Sequence, residues 1–469
     1  MFPLATNDLE QINSASLRIL ETTGVRLGLP SVLEAMKRRG CREGSEADVV
    51  RIPRELVAEC VSSAPRAVKL SDMGGRDVLA QPGGETLFWT CNALYIANSR
   101  RVRPITEHDF INWVRVTDQL EHVHAAVSPS IADHPPQTRD FVGFRLLAEN
   151  TTKHFRPCIY TPDGALAIME MAQVLLGSTS LAERPIVSFG YTVTSPLSWG
   201  VPALELFEKT SGHGVPMMLN AEPTAGATSP VTLAGALALA NAEALSGVVI
   251  TQTLEPGRPV IFNLGFAHTM DMRNAVTRTG GPENGLLGAA GAQLAAFHGL
   301  PSAAWASTES MTTDQQASAE FATVALAQAT AHTNIIWGVG QLESQRTISL
   351  AQGVIDNEIA GSILRLQRGI RVDAESIAEA VITELAHKAD YLSHDHTLAH
   401  FREELYRPEL FYSGRRDAWE NGGALTAYDR ACERVCQILS APHRPKITDE
   451  VARELRGIEA AWCERLGAV

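Results

Sequence analysis

The sequence lacks the patterns that mark several large classes of protein. Its seven cysteines, spread through 469 residues, follow no regular spacing, which argues against a disulfide framework and against a zinc motif. It contains no basic run long enough to bind a phosphate backbone, and its net charge of -13 further disfavours a nucleic-acid partner. It also has no glycine-rich phosphate loop after an early strand, which a doubly wound dinucleotide-binding sheet would have.

Signals for export, membrane insertion and metal binding are missing as well. The N-terminal stretch MFPLATNDLEQINSASLRIL has no basic start followed by an apolar core, and no apolar run is expected to be long enough to cross a membrane. We therefore expect a cytoplasmic protein without a membrane partner. His394, His396 and His400 are close in sequence, but no carboxylate or cysteine stands at a supporting spacing, so we expect packing roles and no metal site.

The dominant pattern of the chain is an alternation of strand-like and helix-like segments. From about residue 120, apolar runs such as HVHAAVSPSI precede stretches such as TRDFVGFRLLAENTT, in about seven units over roughly 250 residues. This rhythm predicts parallel strands with helical crossovers, and favours a (β/α)8 TIM barrel over a doubly wound open sheet. We assign residues 1–80 to an N-terminal helical segment, 81–375 to the barrel with a hairpin in GGETLFWTCNALYIANSRRVRPIT, and 376–469 to a C-terminal helical segment.

The stretch GATSPVTLAGALALANAEALSGVVITQ predicts a long apolar helix that begins in a polar turn. Pro230 suits the first helical turn, and Ser229 or Thr228 before it could accept a hydrogen bond from a free amide. Asn241 and Glu243 lie about 200° apart around this helix, so they cannot share a face. We expect one of them to bond a neighbouring helix and the other to face a loop or solvent.

In a TIM barrel, functional side chains gather in the loops that follow the strands. The loop GFAHTMDMRNAVTRTGGPENG is long for such a connection, and His268, Asp271 and Arg273 within it could together bind a charged ligand. Alternatively, Asp271 and Arg273 pair with neighbours and brace the loop. Glu343 follows a strand and could bind a cation or be a surface carboxylate, and Asn220 ends another strand.

Several aromatic residues also fall near the predicted loops. A subset of them lining one pocket would suit a quaternary ammonium ligand, because aromatic faces attract cations. Most are expected to be core residues. The candidates are Trp89, Tyr95, Tyr160, Tyr191, Trp199, Trp305 and Trp337.

Seven segments together carry a family resemblance: ILETTGV, VRIPRELVAECVSSAP, SPLSW, the long helix quoted above, DMRNAVTRTGGPENGLLGAAGAQLAAFHGLP, DQQASAE and HTLAHFREELYRPELF. Over nearly its whole length the chain resembles the trimethylamine methyltransferase family, in particular the glycine betaine methyltransferase-like branch without pyrrolysine. The resemblance implies a (β/α)8 barrel with helical additions at both ends. It also implies methyl transfer from a quaternary amine, such as glycine betaine, to the cobalt of a corrinoid. A separate partner protein would carry this corrinoid, and none would be bound tightly by this chain.

The resemblance also assigns residues around the barrel mouth. Gly226 and Thr228 match the loop that opens the long helix, where they would form part of the rim that receives the corrinoid. No catalytic residue is assigned, because a quaternary amine is already charged and needs no general acid; positioning and exclusion of water suffice. The resemblance assigns Tyr95, His268, Asp271 and Arg273 to substrate binding, and Asn220 and Glu343 from the loop reading and Met311 from the alignment complete the predicted set.

One departure from the family pattern bears on the substrate. Many relatives read Thr or Ser, Asp, Ser, Lys before the motif Asp-x-Gln-Ala-Gly-x-Glu, whereas this chain has Met311 and then Ser318 in place of the glycine. Met311 aligns near the place where other members carry pyrrolysine. A methionine cannot form the covalent adduct proposed for pyrrolysine with a free methylamine, which disfavours trimethylamine as substrate.

Two further functions remain open from the sequence. The same barrel could pass the methyl group to a different acceptor, such as a folate. It could instead be a non-catalytic protein that binds betaine-like compounds. The sequence is also compatible with a homo-oligomer, since large barrels often pair through exposed helices.

Overall fold

The chain folds around a ring of eight parallel strands. The computed structural model describes residues 4–98, 101–265, 268–388 and 390–468. The strands are β1 (Leu87–Trp89), β2 (Val123–Val127), β3 (His154–Arg156), β4 (Phe189–Thr192), β5 (Met217–Asn220), β6 (Val260–Gly265), β7 (Ser302–Trp305) and β8 (Ile335–Trp337). Each strand except β3 pairs with the next along the chain, and β8 pairs with β1. A single bridge between Phe155 of β3 and Val187, just before β4, closes the ring.

One long helix follows each strand and covers the outside of the ring. The (β/α)8 barrel predicted from the alternation is therefore confirmed. A 3-10 turn at Pro136–Thr138 leads into the second helix. The helices are α1 (Glu107–Asp118), α2 (Arg139–Asn150), α3 (Pro162–Leu176), α4 (Val201–Lys209), α5 (Leu233–Leu254), α6 (Pro282–Phe297), α7 (Gln315–Thr330) and α8 (Leu350–Gln367).

The first barrel strand is the unit that the sequence analysis did not count. Leu87–Trp89 was placed in the predicted hairpin, but it is β1 and pairs with β8 and β2. All three of its residues are buried, because a barrel strand is covered on both faces, and so it shows no alternation that would separate it from a hairpin strand. The hairpin itself is Tyr95–Asn98 with Arg101–Pro104.

Two small sheets are added at the carboxyl ends of the barrel strands. They are built from the loops after β1, β5, β6 and β8, and they raise walls around the barrel mouth. One contains Thr224–Ala225, His268–Asp271 and Val276–Arg278, and the other contains Tyr95–Asn98, Arg101–Pro104, Gln341–Leu342 and Thr347–Ile348.

Helix α5 begins later than predicted. Its N-cap is Thr232, so Pro230 lies outside the helix, and the hydroxyl of Thr228 accepts a bond from the backbone N–H of Thr224 rather than capping the helix. Asn241 and Glu243 face different neighbours, as their angular separation predicts. Asn241 bonds Asn13 and His298, while Glu243 accepts bonds from the loop after β4.

By length and composition α5 could also cross a membrane, contrary to the prediction that no run approaches this length. It has 22 residues and a mean hydropathy of 1.7 in its most apolar window. However, 78% of that window is buried inside the protein, between β5 and β6 on one side and the N-terminal helices on the other. It is a core helix of the barrel, apolar on all sides because it is covered on all sides.

The N-terminal eighty residues pack against α5 and contain more than helices. The hydroxyl of Ser16 donates a bond to the carbonyl of Ala238 in α5 at 2.8 Å. Strand Val25–Leu27 pairs in parallel with Ser198–Trp199 after β4, which joins this segment to the barrel. The helices are Thr6–Thr22, Pro30–Arg39 and Arg54–Ser63, and the strands are Val25–Leu27, Arg42–Glu43, Val49–Arg51, Val68–Ser71 and Asp77–Ala80.

The C-terminal residues after α8 form helices with two different environments. Ala427–Ser440 packs against α8 and α1, and Asp449–Arg465 packs against α3 and α2, where Trp462 donates a bond to Glu170. By contrast, no residue is buried in Ala374–Ile377, Glu379–Leu385, Asp395–Glu404 or Arg416–Asn421.

Candidate active site

A small cavity opens at the carboxyl ends of the barrel strands, where TIM barrels place their active sites. Its volume of about 170 Å³ is well below that of a drug-sized pocket, so it suits a compact ligand. Residues from the ends of β3, β4, β5, β7 and β8 converge on it. The aromatic members are Tyr191, Trp305 and Trp337, and the polar members are Asn92, Arg156, Cys158, Thr192 and Asn220.

The tryptophans form one rigid wall of this cavity. Trp305 and Trp337 end the neighbouring strands β7 and β8, pair directly across them, and stack with ring centroids 5.4 Å apart at an interplanar angle of 25°. Trp89 continues the group at 5.3 Å from Trp337. Trp305 Nε1 donates a 2.6 Å bond to Gln341, which fixes the ring plane. The sequence included all three in its aromatic set but could not separate them from the other aromatics.

Arg156, the last residue of β3, places a buried cation beside these rings. Its guanidinium carbon lies 5.1 Å from the centroid of Trp337, and Nη1 donates a 2.8 Å bond to the carbonyl of Pro157. Among the described residues, no carboxylate reaches ion-pair distance of Arg156, and its buried Nε makes no hydrogen bond. Burial lowers its pKa to about 10, which still leaves it charged at neutral pH.

The space for Arg156 depends on a glycine in the next strand. A Cβ added to Gly190 of β4 would lie 2.6 Å from Nη2 of Arg156 and 2.8 Å from the backbone oxygen of Met218. A larger residue would therefore displace the guanidinium. A buried cation is costly unless it gains an anionic partner, so this arrangement favours an anionic group entering the cavity.

The loop after β3 holds a thiol next to Arg156. Burial raises the pKa of Cys158, although Arg156 and hydrogen bonds from Tyr160 and Asn92 act in the opposite direction. Cys158 is therefore a neutral thiol near pH 7 and not an activated nucleophile. Asp140 fixes this loop by accepting bonds from the backbone N–H groups of Tyr160 and Thr161, and burial raises the pKa of Asp140 to about 6.

Asn220 lies in the cavity wall, at the end of β5 where the sequence placed it. Its Oδ1 accepts a 2.9 Å bond from Asn263 of β6, and its Nδ2 has a long contact of 3.5 Å to Thr192. The Nδ2 group has a second hydrogen, which it can donate to a ligand in the cavity that Asn220 lines.

The structure does not bring His268, Asp271 and Arg273 together. His268 is 2% exposed and contacts Asn284 at 3.0 Å, Gln345 at 3.2 Å and Glu222 at 3.4 Å, so it links the loops after β5, β6 and β8. Asp271 and Arg273 bond each other at a hairpin tip, and the Arg273 guanidinium holds the pKa of Asp271 well below its usual range. Asp271 and Arg273 therefore pair with each other and brace the loop, which is the second of the two alternatives predicted from the sequence. They do not form a ligand-binding trio with His268.

The other predicted residues belong to the surroundings of the mouth and do not line the cavity. Tyr95 lies in the hairpin under Arg346, whose guanidinium is 5.9 Å from the ring. Glu343 accepts a bond from the Thr347 hydroxyl. Met311 is 67% exposed. The two residues assigned to corrinoid contact, Gly226 with a φ of 92° and the exposed Thr228, form a turn at the edge of the mouth.

Exposed apolar side chains surround the mouth, and we refer to them as the apolar rim. They come from the loops after β1, β3, β5, β6 and β7, and each is between 38% and 71% exposed. Such a concentration of apolar side chains at one end of a barrel is typical of a surface that contacts another protein. The apolar rim consists of Leu94, Val102, Tyr160, Val231, Met272, Val276 and Met311.

Arg156 is the functional candidate that the sequence analysis missed. The run RPCIYTP before the helical stretch GALAIMEMAQVLLG predicts a strand that starts at Arg156, which would put this residue at the far end of the barrel. The strand is His154–Arg156, and Pro157, which cannot donate to a sheet, ends it. Using Pro157 as a strand terminator would have placed Arg156 at the mouth.

The histidines considered for metal binding have local partners. His394 Nδ1 accepts a bond from the backbone N–H of His396 at the start of its helix, and the rings of His396 and His400 lie 4.4 Å apart. Within the described part of the chain, no three His, Cys, Asp or Glu side chains come together as a metal site.

Comparisons with known proteins agree with this architecture. A family model described as trimethylamine methyltransferase matches residues 1–461. The chain is 31% identical to trimethylamine methyltransferase MttB of Desulfitobacterium hafniense, over 96% of this chain and 92% of the relative. It is 27% identical to a glycine betaine methyltransferase of the same species, over 99% and 98%. The solved monomethylamine methyltransferase of Methanosarcina barkeri shares the fold, with a TM-score of 0.55 at 13% identity, over 100% of this chain and 89% of that one.

Proposed function

The chain belongs to the trimethylamine methyltransferase family, and on this premise we propose which methylated amine it uses. We propose that it transfers a methyl group from a quaternary amine that carries a carboxylate, such as glycine betaine, to the cobalt of a corrinoid held by a partner protein. The observation that carries the choice of substrate is the buried Arg156 guanidinium, which has no carboxylate partner among the described residues and stands beside stacked tryptophans.

The two kinds of group in the cavity match the two charges of such a substrate. The ring faces of Trp305, Trp337 and Tyr191 attract a quaternary ammonium, which cannot donate hydrogen bonds. Arg156 offers the planar donor pair that a carboxylate binds best, and Asn220 adds an amide donor nearby. Trimethylamine has no group that would use Arg156.

The reaction requires the protein only to position the substrate and to keep water out of the cavity. When the C–N bond breaks, its electron pair stays on nitrogen and a neutral tertiary amine leaves, so no residue has to donate a proton. The corrinoid would supply the cobalt nucleophile that accepts the methyl group. The chain's own residues hold the ammonium against the aromatic wall, orient one methyl group toward the open mouth and exclude water. The neutral Cys158 thiol is consistent with this division of roles.

The apolar rim supports a protein as carrier of the methyl acceptor. Seven exposed apolar side chains around a cavity of about 170 Å³ are more than a small ligand would contact. In this proposal Met311, Met272 and the turn of Gly226 and Thr228 contact the carrier. Tyr95, His268, Asp271, Arg273 and Glu343 shape the walls around it. Met311 cannot capture a free amine covalently, which fits a substrate that arrives already charged.

The test is spectroscopic and needs only purified protein. Under strict exclusion of oxygen, cob(I)alamin is mixed with the protein and with glycine betaine, carnitine, proline betaine or trimethylamine in separate cuvettes. We expect loss of the cob(I)alamin band and growth of methylcob(III)alamin with a carboxylated quaternary amine, and none with trimethylamine. Turnover with trimethylamine alone would contradict the proposal. Binding of a betaine by calorimetry without transfer to cob(I)alamin, in the presence or absence of tetrahydrofolate, would indicate a non-catalytic binder. Transfer to tetrahydrofolate alone would indicate a different acceptor.

A further inference from the structure

A cavity that the methyl transfer does not use lies at the floor of the barrel, the end opposite the mouth. Barrel helices run back from the mouth, so α1 and α2 end at the floor, and there the C-terminal helices pack against them. The cavity is bounded by the last turns of α1 and α2, by the helix Ala427–Ser440 and by residues 441–448, which connect it to Asp449–Arg465. Its volume of about 430 Å³ is within the range of pockets that hold small molecules. We refer to it as the C-terminal cavity.

The wall of the C-terminal cavity is basic, although the whole chain is acidic. Among the described residues, four cationic side chains and one carboxylate line it, whereas the chain carries a net charge of -13. A recess lined mainly by one sign of charge concentrates ions of the other sign. The cationic members are Arg115, Arg434, Arg444 and Lys446, the imidazole is that of His443, and the carboxylate is Asp118.

Two of the four cations already have partners within the chain. Arg115 of α1 donates a 2.9 Å bond to the carbonyl of Ala441 and so satisfies the end of the helix Ala427–Ser440. Lys446 pairs with Asp118 at 2.7 Å, which neutralises both charges. The charge that remains in the cavity is therefore carried by the other two cations.

Arg434 and Arg444 are those two cations. Among the described residues, neither guanidinium has a hydrogen bond or a carboxylate at ion-pair distance. They reach the cavity from different elements, because Arg434 lies on the helix Ala427–Ser440 and Arg444 lies in the connection after it. Pro442 and Pro445 stand on either side of Arg444 and restrict its backbone. Two guanidinium groups without an anion are the donor set that suits a phosphate group best.

Asn150, the last residue of α2, adds an unmet acceptor to the same wall. It is 3% exposed, and its Nδ2 donates a 2.8 Å bond to the carbonyl of Leu146, which fixes the orientation of the amide. Its Oδ1 is buried and accepts no hydrogen bond among the described residues. A buried amide oxygen without a donor costs free energy. A hydroxyl group of a ligand would supply that donor.

We infer that the C-terminal cavity binds a small phosphorylated molecule that also carries hydroxyl groups, such as a sugar phosphate. Its phosphate group lies between Arg434 and Arg444, and one of its hydroxyl groups donates to Asn150. A small molecule is favoured over a nucleic acid for two reasons. The site is a recess of about 430 Å³, and the sequence has no basic run that could follow a phosphate backbone.

The experiment is calorimetry on the full-length protein at one fixed ionic strength, with ribose 5-phosphate, inorganic phosphate, ribose and a short DNA duplex as separate probes. We expect ribose 5-phosphate to bind, ribose and the duplex not to bind, and inorganic phosphate to bind about tenfold more weakly, because it lacks the ribose hydroxyl groups that reach Asn150.

Arginine variants test the phosphate contact. Arg434→Gln and Arg444→Gln should each raise the dissociation constant for ribose 5-phosphate by about tenfold or more, since each removes a charge-assisted hydrogen bond. The matched control is Arg38→Gln, which removes the same charge from an exposed position in the helix Pro30–Arg39 and should keep the native value. Hydrogen exchange adds a local readout. Bound ribose 5-phosphate should slow exchange at the amide of Lys446, which bonds the carbonyl of Glu149.

Three results would overturn the inference: no binding of ribose 5-phosphate at up to about 10 mM, equal affinity in the two arginine variants and Arg38→Gln, or binding of the DNA duplex alone. Equal affinity for ribose 5-phosphate and inorganic phosphate would overturn the role of Asn150. Circular dichroism shows whether each variant is folded. Glycine betaine calorimetry on the same samples measures the mouth separately, so failure of the C-terminal cavity to bind is distinguished from failure of the proposed methyl transfer.

Discussion

The mouth and the floor of this barrel both expose apolar surface, but they hold it in different ways. Of the twenty-one large apolar side chains exposed in the described residues, seven belong to the apolar rim and eleven to residues 366–412, the segment after α8 that we call the arm. The rim is carried by loops that buried bonds hold in place, such as those of His268 and Asp140. The arm is carried by helices without a buried residue. A surface that is rigid without its partner suits repeated, brief contact.

Among substitutions at the mouth, we expect the largest effect on catalysis at Arg156. Arg156→Leu should lower kcat/KM for glycine betaine by about a hundredfold or more, since losing one partner of a buried charged pair costs roughly 2–5 kcal/mol. Activity with tetramethylammonium, which has no carboxylate, should change little. Steady-state kinetics with both amines measure the difference. Equal losses with the two amines would mean that Arg156 only supports the fold, and Arg156→Lys should fall between Leu and the native enzyme.

We expect the second-largest effect, on the KM for a protein-bound corrinoid, from substitutions in the apolar rim and not from those in the arm. Met272→Glu and Met311→Glu should raise KM for a corrinoid bound to its carrier protein by about tenfold, because each puts a charge into an apolar contact. Rates with free cob(I)alamin should stay as in the native enzyme. The arm variant Leu392→Glu should leave both values unchanged. A rim variant that slows free and protein-bound corrinoid equally would place the effect in the cavity instead.

A smaller effect should appear in the pH dependence of stability. Burial raises the pKa of Asp356, at the mouth end of α8, to about 8, although Gly340 and Gln352 donate bonds to it. Its folded form binds the proton more tightly than its unfolded form does. The stability it contributes is therefore present below about pH 4 and is lost as pH rises toward 8. The Tm advantage of the native protein over Asp356→Asn should shrink from pH 5 to pH 9.

The matched change in the arm should show no such trend. Arg371 holds the pKa of the exposed Asp373 below its usual range, so any stability from this pair is lost only as pH falls toward that lowered value. The Tm of Asp373→Asn should follow that of the native protein from pH 5 to pH 9. Thermal melts in one buffer series test both variants. A parallel course for Asp356→Asn would show that its carboxyl is ionised in the folded protein.

The smallest effect is expected at Arg273. Its side chain is 86% exposed and bonds only the neighbouring Asp271 among the described residues. Exposed ion pairs contribute little because water and salt screen them. Arg273→Gln should keep the native Tm and the native kcat/KM for glycine betaine. A marked loss of betaine turnover would restore Arg273 to the substrate-binding set in which the sequence placed it.

The alternation of strand-like and helix-like segments in the sequence was sufficient to predict the barrel. It was not sufficient to predict the exact limits of the barrel strands. Seven of the eight strands follow from apolar runs before amphipathic stretches, while Leu87–Trp89 was hidden beside a hairpin because a strand buried on both faces has no alternation. Placing β3 at RPCIYTP instead of His154–Arg156 moved Arg156 from one end of the barrel to the other. Since strand ends define the mouth, small errors in limits become large errors in function.

The same reasoning explains why some of the predicted site residues do not meet in the structure. His268, Asp271 and Arg273 are close in the chain, yet the hairpin directs His268 inward and leaves Asp271 and Arg273 at its tip. The position of Asn220 at the end of β5 was predicted correctly because its strand was placed correctly, and its role in substrate binding stays a prediction. Short spacing along a strand does not bring side chains together, because successive residues face opposite sides.

The sequence by itself determined the repeating strand and helix units, the family, and the supply of aromatic side chains. Only the tertiary structure decided which of these side chains meet. Arg156 and Trp337 are 5.1 Å apart although 180 residues separate them in the chain, because β3 and β8 are both strands of one small ring. The tertiary structure also decided that the apolar side chains of the arm are exposed, since burial depends on which other segments pack against a side chain. Local sequence sets the backbone hydrogen bonds and the spacing of apolar residues within one helix or strand. Which side chains meet, and which are buried, depends on how the helices and strands pack when the whole ring closes.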